Sequence, residues 1–158
     1  MKKIILFLAL ALSTASFAQI KKVDKAELAA SSGEVIGKIE PFAQGVEMEC
    51  VKNGNTYTFT YKDYQYKTID QRASFSFEDI DNAFEDFYKT AIDAFETKPK
   101  ESIMIETKDQ YIFISYSKTM GIGSVSFKST SSKASGAPMS FTKEFNKKQI
   151  EKLFGKKK

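Results

Sequence analysis

Thr56-Tyr57-Thr58-Phe59-Thr60-Tyr61 alternates aromatic and hydroxyl side chains. A little further on, Phe77, Ile80, Phe84, Phe87, Tyr88, Ala91 and Phe95 recur at helical spacing. The first pattern has the period of two that puts one face of a strand in a core. The second has the period of 3.6 that puts one stripe of a helix there. This change of period decides the fold class, because a strand face and a helix stripe must each bury themselves against another element.

Working back from Thr56, Asn53-Gly54 gives a hairpin signal, read as a type I′ turn with positive φ at both central residues. Val35–Ile39 and Val46–Val51 read as the preceding strands, with a turn over Pro41–Gly45. After Lys62-Asp63 the apolar parity flips to Tyr64 and Tyr66, which marks a turn or bulge, and a fourth strand is expected from Tyr64 towards Ser74. The helix is expected to start after an N-cap at Ser76, with Phe75 stapled onto Ile80, and to end before Lys98-Pro99.

Strand patterns resume over Ser102–Glu106, Tyr111–Ser117 and Ser124–Phe127, with breaks at Lys108-Asp109 and Met120–Gly123. Ser129–Pro138 reads as an exposed loop. Met139, Phe141, Lys143 and Phe145 form a last alternating run. Asn146 with Gln149 then makes a capping box for a final helix, Phe145 staples onto Ile150, and Gly155 stops it. The stretch from Phe75 to Phe84 aligns without a gap to that from Phe145 to Phe154. Each helix also follows about four strand-like runs. The expected fold is therefore α+β: mostly antiparallel β-sheet of about eight short strands, with two amphipathic helices on one face. Residues 33–155 form one domain; halves 33–96 and 100–154 are offered as a ββββα duplication hinged at Pro99, the alternative being that any stapled, capped amphipathic helix looks alike.

Ahead of this domain, Lys2 and Lys3 precede an unbroken apolar run from Ile4 to Leu12, and Ser16 and Ala18 are the small residues a signal peptidase needs. Residues 1–18 read as a cleavable export signal, and 19–32 as a lead-in with a short helical pattern after Asp24. The apolar run is shorter than the roughly 20 residues that span a bilayer, and no later segment approaches that length, so no transmembrane span is expected after cleavage. The expected location is the periplasm or the exterior. Of the formal net charge of +4, Lys2 and Lys3 supply two charges, and Lys143–Lys158 carries seven lysines against Glu144 and Glu151. The body between is therefore slightly acidic, which argues against a nucleic-acid partner. The Lys156–Lys158 tail reads as frayed charge able at most to brush an anionic surface.

The chain has no histidine and one cysteine, Cys50. That excludes Ser-His-Asp and Cys-His catalysis, a histidine general base, an internal disulfide and a CxxC redox pair. No cofactor or metal site is indicated. Cys50 shares a strand face with Val46 and Met48 and reads as a core thiol, with an intermolecular disulfide as the alternative. Ser115-Tyr116-Ser117-Lys118 has the SxxK spacing but lies on an alternating strand rather than at a helix start. The acidic side chains from Glu78 to Glu96 fall opposite the apolar stripe and read as a solvated helix face.

The tyrosines are the candidate contact residues: Tyr57, Tyr61, Tyr64 and Tyr66 around one hairpin, Tyr111 and Tyr116 on a later one. Exposed tyrosine on a sheet offers large contact area at low entropic cost. The missing catalytic constellation argues against an enzyme. The leading expectation is an exported, non-catalytic binding module that holds a protein, a peptide or a small apolar ligand on an aromatic-rich sheet face. The alternatives are a carboxylate-based hydrolase of the cell envelope and an envelope-associated structural protein.

Overall fold

The computed structural model describes residues 33–66 and 68–157. The expected export signal, the lead-in and Lys158 lie outside the described residues. Four strands come first: β1 (Glu34–Ile39), β2 (Met48–Asn53), β3 (Thr56–Lys62) and β4 (Arg72–Glu78). Helix α1 (Ala83–Thr97) follows, then β5 (Ile103–Glu106), β6 (Tyr111–Thr119), β7 (Ile122–Thr130), β8 (Met139–Phe141) and helix α2 (Lys147–Leu153). The order is ββββα twice. Each set of four strands is an antiparallel sheet in sequence order, β1-β2-β3-β4 and β5-β6-β7-β8.

The period of two in β3 does what it predicts. Tyr57, Phe59 and Tyr61 are buried, and Thr56, Thr58 and Thr60 take the other face. Phe59 stands in a cross-strand row with Cys50 and Phe75, and Tyr61 in a row with Met48 and Ala73, so the buried parity continues across the sheet. The β2–β3 turn differs from its expected form. Asn53 pairs with Thr56, so the central residues are Gly54 and Asn55, and only Gly54 has positive φ, at 58°. That is the type II′ pattern, with glycine at the first central position.

The start of α1 is a second correction. Ser76 is not its cap, and Phe77 and Ile80 are not in its stripe. Phe75 and Phe77 continue β4, pairing with Phe59 and Tyr57. Their rings stack on Phe59, 4.9 and 6.0 Å between centroids. A row of buried cross-strand partners outweighs a local capping signal, whose worth is about 1 kcal/mol. The chain then turns through Asp81 and Asn82, both left-handed with φ 53° and 65°, and Asp79 Oδ1 accepts the Phe84 N–H at 3.0 Å. Ile80 is left 60% exposed. The gapless likeness of 75–84 to 145–154 thus spans strand in one copy and helix in the other.

Helix α2 follows its sequence signals closely. Asn146 and Gln149 complete a reciprocal capping box. Phe145 and Ile150 are both buried, and the N–H groups of Gly155 and Lys156 donate to the carbonyls of Lys152 and Glu151 in a Schellman ending. Lys156 does not fray as expected: its Nζ lies 2.6 Å from Glu85 and 5.1 Å from the Tyr88 ring centre. Lys157 pairs with Glu151 at 2.7 Å.

Both helices cover the buried face shared by the two sheets. Phe87 of α1 is the junction, with ring centres 5.5 Å from Phe59, 5.7 Å from Phe75, 5.7 Å from Phe127 and 5.7 Å from Phe154. Helix α2 seats its last turn on β1 at Gly37, where a β-bulge shifts the register. Between the sheets, the Tyr61 hydroxyl meets Ser129 Oγ at 2.7 Å and Ser140 Oγ at 2.6 Å. Ser129 is 1% exposed. Tyr61→Phe therefore strands a buried hydroxyl, and a loss of about 1–3 kcal/mol is expected in a denaturant melt. An unchanged midpoint would mean that this link contributes nothing.

Candidate functional site

Among the described residues a concavity lies between the free edges of the two sheets. β4 is the outer strand of the first and β5 that of the second. Ser76, Phe77 and Glu78 form one wall of the cleft, and Ile105, Glu106, Thr107, Lys108 and Asp109 the other, while Ala83 and Phe87 bring the start of α1, and Ile80 the turn before it, to its base. The cleft measures about 350 Å³. That is within the range of small-ligand sites, about 300–1,000 Å³, and its lining mixes five apolar side chains, Phe77, Ile80, Ala83, Phe87 and Ile105, with seven polar or charged ones. Of the rim acids, Glu106 is held by Lys133 at 2.6 Å.

The backbone of each wall offers hydrogen bonds. In an antiparallel ladder, successive residues aim their N–H and C=O alternately to either side. The Asp79 N–H donates to the Asn55 carbonyl, which aims the odd-numbered residues of β4 at β3. The Ser74 carbonyl accepts from Gln110 Nε2 at 3.5 Å, which aims the even-numbered ones outward. Ser76 and Glu78 therefore present their backbone to the open edge. On β5, the Thr107 N–H donates to the Gln110 carbonyl, so Met104 and Glu106 present theirs outward. Among the described residues, Ile80 takes the Glu78 carbonyl at 3.0 Å, and no protein group answers Ser76, Met104 or Glu106 along these edges.

The outer face of the second sheet adjoins this edge and is unusually apolar for a solvent side. It carries the cross-strand row Met104–Phe113–Lys128–Phe141 and the pairs Glu106–Tyr111 and Thr130–Met139, which the Tyr111 N–H joins by donating to Thr130 Oγ1 at 2.9 Å. Met104 is 61% and Met139 41% exposed, with Tyr111, Phe113 and Phe141 half-buried. The loop after β3 runs along β8, its Tyr64 N–H donating to the Phe141 carbonyl at 2.8 Å.

The six candidate tyrosines do not form one surface. Tyr57 and Tyr61 are core residues: Tyr57 stacks on Phe84 at 3.9 Å, and the Tyr61 hydroxyl is spent on Ser129 and Ser140. Burial raises the Tyr61 phenol above its ordinary value. Tyr116 faces inward with its ring against Phe95, 6.3 Å away. Tyr111 lies on the outer face of the second sheet, with Lys133 Nζ 5.8 Å from its ring. Tyr64 and Tyr66, each 45% exposed, lie on the loop beside β8. Sequence reading missed Phe113, Phe141, Met104 and Met139. The signal was Tyr111-Ile112-Phe113-Ile114, a run apolar on both parities, which fits a strand covered on both faces better than one open to water.

Other sequence candidates settle as structure. Ser115 and Ser117 bond across the strands to Ser102 and Ser124. Among the described residues no three Asp, Glu or Cys side chains gather as a metal site. No described helix is long and apolar enough to cross a membrane. Cys50 is fully buried, and burial, helped by the neighbouring Glu49, pushes its thiol from 9.0 up to about 12. A buried neutral thiol offers no disulfide partner. The folded form holds the proton more tightly, so this stabilising contribution is whole below pH 9.0 and is lost as pH rises towards about 12. Alkaline unfolding is expected to be less steep in Cys50→Ala across that window. Equal pH profiles would contradict the burial.

Compared with known proteins, the chain matches no family model, no curated protein and no solved structure.

Proposed function

We propose that this is an exported, non-catalytic binding module that takes a protein segment, a peptide or a small apolar ligand in the cleft between β4 and β5, with the aromatic outer face of the second sheet as an extension of the contact. The observation that carries this reading is the cleft itself: about 350 Å³ with an apolar base, walled by two strand edges that pair with no further strand among the described residues. Export rests on the sequence of residues 1–18, and N-terminal sequencing of native material is expected to begin at Gln19. An intact Met1 would remove the periplasmic or secreted location.

The test of binding is a titration with Nile red, a neutral apolar dye. Saturable fluorescence is expected for the parent and for Tyr64→Ala, and at least tenfold weaker binding for Ala83→Trp, which fills the base of the cleft. Thr107→Trp blocks the facing wall if Ala83→Trp fails to fold. Dye binding that survives a folded, filled cleft, or is absent from the parent, would refute the reading. The hydrolase alternative draws on Glu78 and Glu106 from facing walls of this cleft. A glycosidase pair needs one carboxyl in a shielded setting. The Glu106 side chain is 63% open to solvent and engaged by Lys133, which favours binding over turnover.

A further inference from the structure

The binding reading above leaves the ligand class open, and the two cleft walls narrow it. We infer that the ligand is an extended peptide, added as a fifth strand along β5, with an apolar side chain turned into the cleft and a lysine or arginine beside it turned out. The inference rests on the proposed function and on three features of the walls. First, β5 is an edge whose outward backbone groups, on Met104 and Glu106, are answered by no protein group among the described residues. Such an edge is a template for main-chain pairing, which supplies affinity without regard to sequence. Second, side chains of an added strand alternate. A residue on the parity of Ile103 and Ile105 points to the core side, where Phe77, Ala83 and Phe87 form an apolar base. Third, its neighbours point to the outer side, between Glu78 of β4 and Glu106 of β5, with Met104 alongside.

Charge on the rim selects the outer residue. Glu78, Glu106 and Asp109 line the cleft against Lys108 alone. Lys133 engages Glu106, and no ion pair reaches Glu78 or Asp109 among the described residues. An acidic neighbour on the peptide would meet these carboxylates at close range, and a basic one complements them. The aliphatic stem of a lysine also suits Met104, 61% exposed at the same edge.

The test uses the mature chain, isotopically labelled, and an acetylated, amidated octapeptide of alternating lysine and valine. Saturable amide shifts are expected at Met104, Glu106, Ser76 and Glu78. N-methylation of the pairing amides, or glutamate in place of lysine, is expected to weaken binding at least tenfold. Met104→Pro removes an edge N–H without costing a ladder bond, so it is expected to abolish binding while leaving the melting temperature within a few degrees. Glu78→Lys is expected to weaken binding about tenfold. Equal binding of the N-methylated peptide, or of the peptide to Met104→Pro, overturns strand addition. Equal binding of the glutamate peptide overturns the charge preference. Failure of the peptide alone, with Nile red still held in the cleft, sinks this inference and spares the binding reading. Failure of both sinks both.

Discussion

Phe87→Ala lowers the stability of the domain by about 3–5 kcal/mol, the cost of emptying a large buried aromatic site. The side chain is 4% exposed and its ring touches rings from every layer of the structure: Phe59, Phe75 and Phe77 of the first sheet, Phe127 of the second, and Phe154 after α2. Each such contact adds to simple burial, and edge-on pairs such as those with Phe59, Phe75 and Phe77 are favoured by the ring quadrupole. No single neighbour can move into the space, because each is itself held by a sheet or by the other helix. Chemical denaturation of the parent and the variant checks this. A loss under about 1 kcal/mol would mean that the sheets and helices do not meet at this ring.

Gly37→Ala is the second large effect, and it acts through crowding. A Cβ at this position would lie 2.1 Å from the Lys152 carbonyl oxygen and 2.6 Å from that of Leu153. Both obstacles are backbone, so no rotamer relieves them. The last turn of α2 must lift from β1, drawing Leu153 and Phe154 from the core. Overpacking of this kind costs about 1–3 kcal/mol, more where backbone must move. The expected signature is a lower melting temperature together with changed amide shifts along Lys147–Leu153. A variant as stable as the parent would show that α2 does not rest on β1.

Much of this architecture was legible because its signals are local. The alternation of Thr56–Tyr61 set β3 and the buried face of its sheet. Asn146, Gln149 and Gly155 set both ends of α2. What failed was the junction of strand and helix at Phe75–Asn82. A capping-box spacing at Ser76 and Asp79 is a signal of short range, and the pairing of Phe75 with Phe59 and of Phe77 with Tyr57 is not visible to it. The stripe was right from Phe84 onward, and Asp79 does serve the helix, but from a turn rather than from inside it. The same blindness hid the cleft. A cleft between β4 and β5 joins residues far apart in the chain, and only the tertiary arrangement brings Phe77 and Ile105 to one cavity. Tyr57, Tyr61 and Tyr116 misled because composition does not give facing. Tyr57 and Tyr61 share the parity of Phe59 and so went to the core.

Hydrogen–deuterium exchange reads the proposed binding at the β4–β5 cleft directly. The protein, incubated with the alternating lysine–valine octapeptide, is predicted to gain amide protection at Ser76–Glu78 and Met104–Glu106, and to lose that gain in Met104→Pro. Protection confined to the loop carrying Tyr64 and Tyr66, or no protection at either edge strand, would contradict it.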